Sequence, residues 1–191
     1  MKTIKNNIEN EIIIKNSRFI SYIFKLDENN IDKYLTNIKE LHPKATHYCY
    51  GYVYDEIKHS SDDNEPTGTA GMPILNVLEK EELNHILVIV VRYFGGIKLG
   101  AGGLIRAYTK SVTEALKEVE IIELEEGYKI ELEYDYNDQN DINYLLQNSK
   151  IIKEEYLEKV KIQVLINKEL LDKLSKYNPT IIEETYIEKR Y

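Results

Sequence analysis

The chain has 191 residues, 42% of them hydrophobic and 30% charged, with a net charge of −8 and one cysteine. That length allows one domain or two, and the composition is globular rather than disordered. Cys49 alone makes neither an internal disulfide nor a Cys-x-x-Cys metal site, the net charge argues against general nucleic-acid affinity, and no apolar run approaches the ~20 residues that cross a bilayer.

The N-terminus, Met1-Lys-Thr-Ile-Lys-Asn-Asn-Ile-Glu, has no apolar signal-peptide core, so a cytoplasmic location and no membrane partner are expected. Glu11–Ile14 and Phe19–Leu26 read as strands around the polar break Lys15-Asn16-Ser17. Ile31, Leu35, Ile38 and Leu41 recur at helical spacing, and His42-Pro43 ends that helix. Thr46–Tyr54 is a strand, residues 55–72 a polar loop, and Pro73 opens a short helix to Leu83. Ile86–Val91 is apolar throughout, as a strand covered on both faces should be. A glycine-rich loop, Gly95–Gly103, leads into a helix ending near Val119.

Eight of the nine glycines precede Gly127, so the chain changes character near residue 125. The remainder reads strand Tyr128–Tyr134, helix Asp138–Asn148, strands Ile151–Glu158 and Val160–Ile166, helix Lys168–Tyr177 and strand Thr180–Glu188. That βαββαβ order is the ferredoxin-like arrangement. The expected architecture is α+β in two domains, 1–124 and 125–191.

Charge is distributed unevenly. Between Glu82 and Glu114 there is no acid, yet Arg92, Lys98, Arg106 and Lys110 all fall there. Within that segment Arg92 ends a strand, and Gly95, Gly96, Gly100, Gly102 and Gly103 follow. Glycines let main-chain N–H groups approach a ligand, and a helix start adds unpaired donors, which together suit an anion. On the helix, Leu104, Tyr108, Val112, Ala115, Leu116 and Val119 share one side. Arg106, Lys110 and Lys117 lie within about 40° of one another on the opposite side. A tight turn feeding a solvated basic face is the plain alternative. Neither Gly-x-x-x-x-Gly-Lys-Ser/Thr nor Gly-x-Gly-x-x-Gly occurs, so nucleotide binding of those kinds is not expected.

In the preceding loop Asp62, Asp63 and Glu65 have the oxygen chemistry for a hard cation, but their spacing fits no EF-hand. Acids in a loop are ordinarily solvated, or they engage Arg92 or Arg106 within the fold. Thr67 and Thr69 offer hydroxyls to a phosphate. On Thr46–Tyr54, Tyr48, Tyr50, Tyr52 and Tyr54 face one way. Such rings stack on unpaired bases or, more ordinarily, pack a half-buried sheet. The four histidines are scattered, and His47 with Cys49 lacks an orienting third group for nucleophilic catalysis. No metal, cofactor or catalytic residue is expected.

The run Ser61-Asp-Asp-Asn-Glu-Pro-Thr-Gly-Thr-Ala-Gly-Met-Pro73, with Val91-Arg-Tyr-Phe-Gly-Gly-Ile-Lys-Leu-Gly-Ala-Gly-Gly-Leu-Ile-Arg-Ala-Tyr108, resembles the IMPACT family, in particular its bacterial YigZ-like branch. Ser17-Arg18-Phe19-Ile20 and Ala45-Thr46-His47 resemble further blocks of that family, so the likeness covers about residues 10–120. Met72, Ala101 and Tyr48 depart from its pattern. The resemblance implies an N-terminal domain like domain 2 of ribosomal protein S5, followed by a ferredoxin-like domain similar to the last domain of elongation factor G. It also implies a role in translation, because eukaryotic relatives regulate it by binding a protein partner. The expectation is therefore a non-enzymatic RNA- or ribosome-associated regulator. The alternatives are a protein-binding adaptor in translational stress control, and an enzyme on a small phosphorylated or carboxylated substrate using Asp62, Asp63 or Glu65.

Overall fold

A computed structural model describes residues 1–189 and divides into two units, Met1–Ile122 and the residues from Glu123 onward. The first unit holds β1 (Lys2–Ile4), β2 (Ile8–Ile14), β3 (Ser17–Lys25), α1 (Ile31–Leu41), β4 (His47–Tyr54), β5 (Ile57–Ser61), α2 (Gly71–Lys80), β6 (Ile86–Tyr93) and α3 (Ala101–Leu116). Five strands form an antiparallel sheet in the order β2-β3-β6-β4-β5.

Strand β6 lies at the centre, and its alternation explains why it has no polar position before Arg92. Ile86, Val88 and Val90 join Phe19, Ile23, Ile74, Leu78, Leu104, Tyr108 and Val112 in one core, which therefore includes α2 and α3. Leu87, Ile89 and Val91 join Ile20, Tyr22 and the α1 residue Ile38 in another. Burying a side chain of this size is worth about 1.5–3 kcal/mol, so a charge on either face needs a partner to be tolerated.

Strand β5 corrects the expected loop at 55–72. Ile57–Ser61 pairs antiparallel with Tyr50–Tyr54 across a turn in which Asp55 has φ +52°. The sequence Ile-Lys-His-Ser-Ser lacks alternation because this is an edge strand whose residues are exposed or only half-buried. Strand β1 was likewise not expected; three residues are too few to show a period.

The second unit comprises β7 (Ile121–Tyr134) from Glu123 on, α4 (Gln139–Leu146), β8 (Lys150–Tyr156), β9 (Val160–Asn167), α5 (Lys168–Leu174) and β10 (Thr180–Glu188). Its strands run antiparallel in the order β10-β7-β9-β8. Ile130, Leu132 and Tyr134 of β7 and Val160, Ile162, Val164 and Ile166 of β9 meet Ile142, Leu146 and Leu174 from the helices. Alternate positions face away and carry polar contacts, such as Lys161 with Glu131 at 2.9 Å. Asn167 caps α5 by accepting the Leu170 N–H.

Candidate functional site

The turn after β6 is held from both sides. Phe94 N–H donates to Thr46 Oγ1 at 3.0 Å, and Gly95 N–H donates to Ser17 Oγ at 3.2 Å. Gly95 presses onto the β2–β3 turn so closely that a Cβ there would lie 2.1 Å from the Asn16 carbonyl carbon. Gly96 and Gly100 then take φ +85° and +71°, the left-handed region that side chains resist. Helix α3 starts at Ala101 with no side-chain cap and no acid in its first turn, so its leading amides carry the positive end of the helix dipole unopposed.

Along α3, Leu104, Ala107, Tyr108, Ser111, Val112 and Ala115 are buried. Arg106 and Lys110 are exposed, as is Lys98 in the turn. None of these three cations forms an ion pair with a carboxylate among the described residues. Lys117, the third member of the expected stripe, is instead engaged by Glu114 at 2.8 Å.

Arg92 goes the other way. Alternation aligns it with Ile86, Val88 and Val90, towards α3 rather than solvent, and its side chain is 5% exposed. Nη1 lies 2.5 Å from Glu65 Oε1, itself 4% exposed, and Nη2 lies 3.4 Å from Ser17 Oγ. Tyr108 donates to the same Glu65 oxygen at 2.8 Å, and His47 Nε2 lies 3.8 Å from the other. The guanidinium carbon sits over the rings of Phe19 (5.4 Å) and Phe94 (5.6 Å). Its Nε finds no hydrogen-bond partner among the described residues. Arg92, grouped by sequence with the anion contacts, is therefore spent on Glu65, and the structure does not bring it to the exposed face.

The acidic loop is equally occupied. Asp62 accepts the N–H groups of Gly68 (2.7 Å), Gly71 (2.8 Å) and Ala70 (3.0 Å), which ties the loop to the start of α2. Asp63 Oδ2 accepts the Tyr48 N–H at 2.6 Å, and its carbonyl accepts from His47 Nδ1 at 2.7 Å. Thr69 is buried and donates to the Pro66 carbonyl, whereas Thr67 is exposed. No group of three metal-ligating side chains occurs among the described residues. The Cys49 thiol lies 3.0 Å from the Asp62 carbonyl and 3.3 Å from the Tyr108 hydroxyl, and burial pushes its pKa far up, so it stays protonated.

Partial burial pushes the Asp62 carboxyl up, but the N–H groups of Gly68, Gly71 and Ala70 outweigh it and hold it below the ordinary range. A depressed folded pKa means stability present above the unfolded value of about 3.9 and lost as pH falls through the folded one. At pH 7 Asp62→Asn is expected to be less stable by about 1.5–3 kcal/mol, the worth of a hydrogen bond to a charged group. In urea titrations the gap to the wild-type protein should narrow on acidification; a gap independent of pH would refute this role.

Tyr50 and Tyr52 are half-buried, on the face of β4 that packs with α1. Lys98, Arg106 and Lys110 belong to the turn and helix on the other face, so the sheet separates these tyrosines from them. Three residues that now matter were not singled out: Ser17, Tyr108 as a buried hydroxyl donor, and Phe94. Extending the β6 alternation by one step would have placed Arg92 beside Tyr108.

The model of the Impact N-terminal domain matches residues 15–116. The IMPACT family member YvyE of Bacillus subtilis is 37% identical over 202 residues, spanning 98% of this chain and 93% of its own. The IMPACT family member YigZ of Escherichia coli is 35% identical over 161 residues, spanning 80% of this chain and 79% of its own. A crystal structure described as that of a hypothetical protein superposes with a TM-score of 0.66 at 29% identity, covering 99% of this chain and 98% of that one.

Proposed function

The chain belongs to the IMPACT family, and from that premise we propose that it is a non-enzymatic, RNA- or ribosome-associated regulator of translation working in the cytoplasm. Phosphate contact falls to Lys98, Arg106 and Lys110, with the main-chain amides of Gly96, Gly100, Gly102 and Gly103; the Gly95 amide, grouped with them by sequence, is already taken by Ser17 Oγ. The observation that carries this reading is that all three cations are exposed and unpaired among the described residues, in a segment without acids. A net charge of −8 does not oppose it, because charges beyond a Debye length of about 8 Å are largely screened. Arg92 is a support for this surface rather than a contact.

The division into domains 1–124 and 125–191 forms part of the proposal, with the first like domain 2 of ribosomal protein S5 and the second ferredoxin-like. The strand order β10-β7-β9-β8 with a helix after the first and third strands supports the second assignment. An enzymatic role for Asp62, Asp63 or Glu65 has less support, since each carboxylate already accepts hydrogen bonds within the fold.

Arg106→Glu combined with Lys110→Glu is expected to weaken RNA binding and to make the slope of log affinity against log salt shallower by about 2. A salt-titrated binding assay checks both. Affinity indifferent to salt, or untouched by the double charge reversal, would remove this surface and leave the adaptor reading. That reading has its own support in the exposed Ile97 and Ile105 beside the cations.

A further inference from the structure

Phe94 is 47% exposed, and the main chain that carries it is held from both sides. Its N–H is held by Thr46, and the next residue, Gly95, is clamped against Asn16 and Ser17. The Arg92 guanidinium lies over the ring at 5.6 Å and is itself fixed by Glu65. The ring thus has a backing of fixed position, while much of its surface remains open to solvent. Lys98 follows four residues later, with the Gly96 amide between them.

A single exposed phenylalanine is ordinary on a protein surface. An exposed aromatic in the same turn as the exposed, unpaired Lys98 is a different chemical offer. The cations attract a polyanion, and the ring presents a flat apolar face to something equally flat. In a duplex the base faces are hidden by stacking on each other. An unpaired base exposes such a face, and stacking on aromatics is how single strands are commonly held. Because the ring is already positioned, stacking would not cost the ordering of a mobile side chain.

We infer that Phe94 is a base-stacking platform and that the ligand of this face is single-stranded RNA. The inference rests on the RNA-binding reading above and narrows it to one class of RNA.

The test uses the full chain with a short labelled oligouridylate and an RNA duplex of matching length, each titrated with salt. The wild-type protein should bind the single strand more tightly than the duplex. Phe94→Leu should lose roughly five- to a hundredfold in affinity for the single strand, the range for one stacked base, with its salt slope and duplex binding unchanged. Phe94→Trp should retain affinity, and since the sequence contains no other tryptophan, its fluorescence should be quenched when the oligonucleotide binds. Phe94→Leu binding as the wild-type protein does, a preference for the duplex, or no quenching of Phe94→Trp would each overturn the inference. Should the charge reversal at Arg106 and Lys110 still abolish binding in that case, the broader reading survives alone. If the wild-type protein binds neither RNA, both fall.

Discussion

Glu65→Ala should cost the first unit about 3–5 kcal/mol, the usual penalty for removing one partner of a buried ion pair. The expense lies in what remains. Arg92 is 5% exposed, and its guanidinium would keep only the long contact to Ser17 at 3.4 Å and the two aromatic rings. Tyr108, fully buried, would lose the acceptor of its hydroxyl at the same time. Urea unfolding followed by circular dichroism measures the loss. Adding Arg92→Met to Glu65→Ala should recover a large part of it, because the pair replaced by apolar side chains no longer leaves a buried charge. A single variant within about 1 kcal/mol of wild type would show that the pair is dispensable.

Gly95→Ala should be nearly as damaging, for a reason that involves no charge. The added methyl would meet main chain, the Asn16 carbonyl carbon and oxygen at 2.1 Å and Ser17 N at 2.4 Å, so no side-chain rotation relieves it. The cost is placed at the top of the roughly 1–3 kcal/mol that overpacking brings. The displacement would also reach the Ser17 hydroxyl, which accepts from both Gly95 and Arg92, and so loosen the support under Phe94. Gly96→Ala is the control: its Cβ would enter open space, and only the backbone at φ +85° resists, at about 1–2 kcal/mol. Equal stability of the two variants would contradict the clamp at Gly95.

Much of the fold was legible because its strands and helices repeat. The apolar run Ile86–Val91 announced a strand covered on both faces, and the helical spacing from Ile31 to Leu41 located α1. What escaped was either short or polar. Strand β5 exists because Tyr50–Tyr54 offers it hydrogen bonds, not because Ile57–Ser61 has a pattern of its own.

The candidate site divides along the same line. Residue order alone determined that Leu83–Thr113 is free of acids, that glycines crowd the turn, and that Arg106 and Lys110 oppose the apolar side of α3. These are local properties, settled within a few turns of backbone. Only the tertiary structure decided that Arg92 turns inward to Glu65, 27 residues away, and that Asp62 holds a loop together. It also decided that Tyr50 and Tyr52 lie across the sheet from the cations and that Phe94 rests over a guanidinium. A charge becomes a contact or a strut according to which side chain long-range folding sets beside it, and periodicity records only the face from which it starts.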